Sequence, residues 1–108
     1  MTIRPIRIQL SRAKGWRMPP NTVKVDRTTV WGNRWHYDYA GGAAYAVDCF
    51  RRWIAGEKVG AMKSPTAEFL EALRANLRGK NLACWCALPK PGEPDICHAA
   101  VLLEIANR

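Results

Sequence analysis

From Leu82 to Leu103 the chain runs from a short apolar segment ending in Cys84-Trp85-Cys86, through a Pro/Gly-rich stretch, to Cys97-His98 and an apolar tail. The first piece, Leu82–Cys86, is too short for a helix and is bounded by turn residues, so it reads as a buried strand. Pro89–Pro94 reads as a loop. Asp95 stands where a helix N-cap belongs, and Ile96–Ala106 is apolar nearly all round, the pattern of a well-buried helix. A buried strand followed at once by a buried helix requires a sheet with helices packed on it.

The rest of the chain supplies the remaining layers. Residues 5–12 alternate, with Ile6, Ile8 and Leu10 on one face and Arg7, Gln9 and Ser11 on the other, as in a half-buried strand. Ala13–Asn21 is a loop marked by Gly15 and Pro19-Pro20, and Thr22–Asp26 alternates again. From Ala43 the apolar residues Ala46, Cys49, Phe50, Trp53 and Ile54 recur at helical spacing up to Gly56. Ser64-Pro65 predicts the start of a second helix, with Phe69, Leu70, Leu73 and Leu77 as its stripe and Gly79 as its C-terminal cap. The expected order is β-β-α-α-β-α over one 108-residue domain, a small Rossmann-like α/β sheet with at least two parallel strands.

No apolar run approaches a membrane span of about 20 residues, and Met1–Pro5 leads straight into a basic, alternating segment. These features predict a cytoplasmic protein without a membrane partner. In that compartment four cysteines point to free thiols, a metal site or catalysis before disulfides. The net charge of +8 is uneven. Residues 1–36 hold eight basic residues against Asp26 alone, a net +7, and the other 72 residues carry +1. Such a segment is expected to face an anion, and Arg12, Lys14 and Arg17 are its candidate nucleic-acid contacts.

Three of the four cysteines and one of the two histidines fall within fifteen positions. Residues two apart on a strand share a face, which puts Cys84 and Cys86 together and turns Trp85 away. Ligands in open α/β folds bind outside the carboxyl ends of the strands, where Cys86, Cys97 and His98 belong. Three readings compete. Cys84, Cys86, Cys97 and His98 have the ligand types of a Cys3His zinc site, although C-x-C-x10-C-H matches no common zinc module. Neighbouring helical residues also diverge by about 100° around the axis, which makes adjacent Cys97 and His98 awkward ligands for one ion. Alternatively Cys97, in the first turn of a helix, is a thiolate nucleophile with His98 as its proton partner. The third reading makes the cysteines small core residues.

Asp26–Trp35 packs Arg27, Trp31, Gly32, Asn33 and Arg34 around a turn. Backbone N–H groups at a Gly-Asn turn can cradle an anion, and arginines add paired contacts to phosphate. A tryptophan here can stack on a base or cap the core. Only Asp26, Asp38 and Asp95 lie near enough to these motifs for acid–base work.

The chain resembles a family of short bacterial and phage proteins known only as a domain of unknown function. The resemblance spans roughly residues 5–107. It is carried by Arg27-x-x-x-Trp31-Gly32-Asn33, by Phe50-Arg51-x-Trp53, by the run from Leu77 to Cys86, and by Cys97-His98-Ala99-Ala100-Val101-Leu102. It implies a Rossmann-like domain with one polar site built from the W-G-N turn and the C-W-C…C-H segment, and no established reaction. The family usually has proline after W-G-N, where this chain has Arg34, and a shorter connection from Cys86 to Cys97.

The leading expectation is a domain that binds a phosphorylated ligand, nucleotide or nucleic acid, between those two motifs. The alternatives are a Cys97/His98-dependent enzyme acting on nucleotides or nucleosides, and a non-catalytic phage-type interaction protein with a Cys3His zinc site.

Overall fold

The apolar run at Leu82 becomes the centre of the sheet. The structure, a computed structural model, describes residues 4–36 and 41–108. Its elements follow the expected order: β1 (Arg7–Gln9), β2 (Thr22–Lys24), α1 (Gly42–Ile54), α2 (Ala67–Leu77), β3 (Asn81–Cys84) and α3 (His98–Ala106). β3 pairs with both other strands in parallel, giving the order β1-β3-β2. A strand flanked on both sides in a parallel sheet is hidden on both faces, and Leu82, Ala83 and Cys84 are all buried. The protein is thus a small mixed α/β domain, with a three-stranded parallel sheet and three helices.

α3 lies on β3 and β1, and α1 and α2 pack against α3. The core they enclose contains Phe50, Trp53, Leu73, Leu77, Leu82, Val101 and Leu102, together with Cys84 and Cys97. A series of rings, Phe50 tilted on Trp53 and edge-to-face with His98, ties α1 to the first turn of α3. Among the described residues no helix is long and apolar enough to cross a membrane.

Four local expectations change. The face assignment of the first strand is reversed at its start. Arg7 pairs in register with Leu82, and neighbours across a parallel pair share a face. Arg7 is therefore on the core side and only 7% exposed, whereas Ile6 is 56% exposed. The second helix is capped by Thr66 instead of Ser64: the Thr66 hydroxyl accepts the Phe69 N–H at 3.1 Å, which moves the start past Pro65. The last helix begins at His98, with Cys97 as an extended N-cap residue. Asp95 does not cap it, because its carboxylate is taken by Arg7 at 2.5 Å. β1 and β2 are shorter than their alternation suggests, and β3 runs from Asn81 to Cys84, short of Cys86.

Gly79 does end α2, at φ +75°, the left-handed conformation that glycine adopts without strain. Asp38 lies outside the described residues.

Candidate metal centre and adjoining cavity

The carboxyl end of β3 carries Cys84, and the chain turns there through Trp85 and Cys86. The first turn of α3 faces it across the sheet end. The Sγ atoms of Cys84 and Cys86 are 3.9 Å apart, and Cys97 Sγ is 3.9 Å from His98 Nδ1. The donor atoms of Cys84, Cys97 and His98 all lie within 4.8 Å of one another, and all three residues are buried, as a group able to hold a metal ion. All four cysteines are free thiols.

The adjacency of Cys97 and His98 is no obstacle. The 100° argument holds for two helical residues, but Cys97 has φ −151° and ψ 141°. Its extended backbone turns the thiol back towards the ring of the next residue.

His98 is oriented from behind. Its Nε2 lies 2.6 Å from the Val25 carbonyl oxygen. A carbonyl only accepts, so Nε2 carries the proton and the Nδ1 lone pair faces the thiols. Burial lowers the His98 pKa below its ordinary value, against the opposing pull of that hydrogen bond. The ring is neutral, the form in which histidine binds metals. Hydrogen bonds with Cys84 and Cys86, with burial added, push the Cys97 thiol well above its usual range. The Cys86 hydrogen bond similarly raises Cys84.

Beside the cluster opens a cavity of about 330 Å³, lined by Asp26, Arg27, Thr28, Cys84, Trp85, Cys86 and His98. It sits between the carboxyl ends of β2 and β3. Asp26 is its most organised polar group. Oδ1 accepts the Thr28 hydroxyl at 2.5 Å and the Thr28 N–H at 3.1 Å, and Oδ2 accepts the Trp85 indole N–H at 2.8 Å. Lys24 adds an ion pair at 3.6 Å. Burial raises the Asp26 pKa, but these donors outweigh it and hold the carboxyl below its ordinary value. The carboxylate is thereby committed to tying β2 to β3. The outer side of Trp85 is covered by the Arg12 guanidinium, 4.5 Å from a ring centroid.

The W-G-N turn packs differently from a ligand cradle. Arg27 lines the cavity but also donates to the carbonyls of Asn33 and Trp35, at 2.6 Å each, closing the loop on itself. Asn33 is buried, donating to the Ala46 carbonyl at 3.1 Å and accepting the Trp35 N–H at 3.0 Å. A Cβ on Gly32 would come within 2.6 Å of Arg27 Cα. Trp31 packs on Phe69, and Arg34 lies 4.3 Å from a Trp53 ring centroid. Trp31, Gly32, Asn33 and Arg34 are absent from the residues that line the cavity. Lys14 and Arg17 are exposed on the loop after β1.

Sequence reasoning missed Arg7, Thr28 and the bond from the Trp85 indole to Asp26. Only the position of Trp85 between two cysteines could have flagged any of them.

No curated protein and no solved structure matches the chain. The profile of one family, a domain of unknown function (DUF4326), matches residues 8–108. That span covers nearly the whole sequence, so the chain belongs to the DUF4326 family.

Proposed function

We propose that this protein is a Rossmann-like cytoplasmic domain that holds zinc in a Cys3His centre and binds a phosphorylated ligand, nucleotide or nucleic acid, in the adjoining cavity. The observation that carries the reading is the convergence of Cys84, Cys97 and His98, of which Cys84 and His98 also line the adjoining cavity. In a tetrahedral zinc site, bond lengths of about 2.0–2.3 Å put neighbouring ligand atoms roughly 3.6–3.8 Å apart. The separations of 3.9 Å are close to that. Cys86, whose Sγ lies 3.9 Å from that of Cys84 but outside the group of three, would complete the set as fourth ligand. The backing of His98 by a backbone carbonyl is the usual outer support of a metal-bound imidazole.

A metal role suits the residues better than a nucleophile. Reactive cysteines have depressed pKa values and partial exposure. Cys97 is fully buried and its pKa is pushed up. Zinc supplies the positive charge that turns such thiols into thiolates.

The phosphorylated ligand is supported by Arg27 in the cavity lining and by Arg12 and Lys24, which contact the lining residues Trp85 and Asp26. Trp85 offers an aromatic surface for a base. The crevice at the carboxyl ends of parallel strands is the general ligand position in such folds.

Two measurements test the reading. Elemental analysis of protein purified without a metal-affinity tag should find about one zinc per chain. Binding to single-stranded DNA and RNA should weaken steeply with salt, with a slope near −0.7 per phosphate neutralised. Replacing Arg12, Lys14 and Arg17 with alanine should flatten that slope. Absence of zinc overturns the metal half. Absence of binding in low salt to nucleic acid and to a nucleotide panel overturns the ligand half.

A further inference from the structure

We infer that Arg7 is the positioning residue of this metal centre, a buried guanidinium that ties together both ends of the loop separating its two ligand pairs. The inference rests on the metal reading above.

The ligand pairs Cys84/Cys86 and Cys97/His98 are joined by ten residues, 87–96. Residues 87–94 of that connection are exposed. It contains three prolines and a glycine, with Leu88 half in solvent and Ile96 likewise. Little in the loop itself packs it down. What holds it comes from β1: Gln9 accepts the Leu88 N–H at 3.2 Å, and Arg7 binds both ends. Arg7 Nη1 donates to the Cys86 carbonyl at 2.8 Å, and Nη2 donates to the Ala87 carbonyl at 2.6 Å. Its Nε meets the Asp95 carboxylate at 2.5 Å. Each guanidinium nitrogen therefore has a partner. Two of the partners lie at the start of the loop and one lies near its end, two residues before Cys97.

Three physical arguments make this a device of the metal centre. First, the Cys86 carbonyl is fixed by the bond to Arg7, and with it the direction in which the Cys86 side chain leaves the backbone. Cys86 is the only half-buried member of the four, so it gains most from being held. Second, the side chain of Arg7 is only 4% exposed. A buried cation is tolerated where charge and hydrogen bonds compensate it. Asp95 and the two carbonyls do so. Zinc with three thiolates and a neutral imidazole carries a net charge of −1, which a nearby guanidinium stabilises. Third, the planar fork matches two adjacent carbonyls in a way that an ammonium cannot.

The test uses the full chain and Arg7→Lys, Arg7→Met and Asp95→Asn variants. Zinc affinity is measured by competition with a chromophoric chelator under reducing conditions. Coordination is read from the thiolate-to-metal absorption of the cobalt(II) form. Outer-sphere partners of metal ligands are worth roughly 10–100-fold in affinity. Arg7→Met and Arg7→Lys should fall in that range and Asp95→Asn less. The cobalt form of Arg7→Met should lose the intensity of one thiolate, and adding Cys86→Ser to it should cost little more. A loop-stabilising role alone would lower the melting temperature and leave the cobalt spectrum unchanged, which would overturn the inference. So would zinc affinity within twofold of the parent in any folded Arg7 variant. If neither Arg7 variant folds, Asp95→Asn decides by the same two readouts. A parent chain that takes up neither metal removes the metal reading and this inference together. A parent that binds while its variants bind equally well removes only the inference.

Discussion

His98 Nε2 lies 2.6 Å from the Val25 carbonyl oxygen, so the last helix is bonded through its first residue to the end of β2. That one contact sets the tautomer, points Nδ1 at Cys97 and Cys84, and seats the ring against Phe50. The sheet edge thus orients the imidazole, and the helix start brings in the neighbouring thiol.

His98→Gln should separate the two duties of this ring. Glutamine can still donate to the Val25 carbonyl but offers no imidazole nitrogen to a metal. Zinc content should fall sharply, as it should for Cys84→Ser and Cys97→Ser. Cys49→Ser should retain zinc, since Cys49 lies in α1 and outside the cluster. Elemental analysis of the four purified variants checks this. Full zinc in His98→Gln would mean that the imidazole serves packing only.

The topology was legible because its signals are local. Leu82–Cys86 is too short and too apolar to be anything but a buried strand, and Gly79 marks the end of α2 through its own φ. The convergence of Cys84 with Cys97 and His98 followed from placing one pair at a strand end and the other at a helix start. What stayed illegible depends on partners distant in sequence. Arg7 looks like the polar face of a half-buried strand until Asp95 and the Cys86 carbonyl are beside it, 79 and more residues away. Asp95 looks like a helix cap for the same reason. The extended backbone of Cys97 arises from the entry of the loop into α3, and no residue pattern announces it. The W-G-N turn carries residues suited to an anion, and the same residues suit a tight loop; the packing around Gly32 and Asn33 is tertiary.

Gly32→Val should cost stability. Its first side-chain carbon would meet Arg27 Cα at 2.6 Å and the Asp26 carbonyl oxygen at 2.8 Å, both backbone atoms that cannot swing aside. Overpacking of this kind costs typically 1–3 kcal/mol, sometimes more. Asn33→Ala should cost about 1–3 kcal/mol by leaving the Trp35 N–H without its partner and removing the bond to Ala46. Denaturant melts of both variants check these figures. Parent-like stability in Gly32→Val would mean that the loop sits further from Asp26 than described.

Asp26 should make the protein sensitive to acid. Its folded pKa lies below its ordinary value, because Thr28, Trp85 and Lys24 outweigh burial. The unfolded chain then binds a proton at a pH where the folded chain does not, so stability rises with pH across that window. The contribution is complete above the unfolded value of about 3.9 and is lost as pH falls through the folded value. The stability difference between the parent and Asp26→Asn should therefore be largest at neutral pH and shrink below about pH 4. Chemical denaturation of the pair across pH 3–7, with contributions common to both cancelling, checks the sign. A difference independent of pH would mean that the carboxylate gains nothing from its donors.

Trp85 separates scaffold from ligand. Its indole N–H bonds Asp26, its ring takes the Arg12 guanidinium, and it lines the cavity. Trp85→Phe removes the N–H and keeps an aromatic face. A hydrogen bond to a charged group is worth about 1.5–3 kcal/mol, so this variant should melt earlier. If a base stacks on this residue, Trp85→Phe should still bind nucleotide or single-stranded nucleic acid nearly as the parent does. Trp85→Ala removes the face as well, and base–aromatic stacking is worth about 1–3 kcal/mol per base. Its affinity should drop roughly 5- to 150-fold at a temperature where both variants remain folded. Titration calorimetry with a nucleotide panel and a short single strand reads the difference. Equal affinity in the phenylalanine and alanine variants would assign Trp85 to the scaffold alone, and would place ligand recognition on Arg27, Arg12 and Lys24.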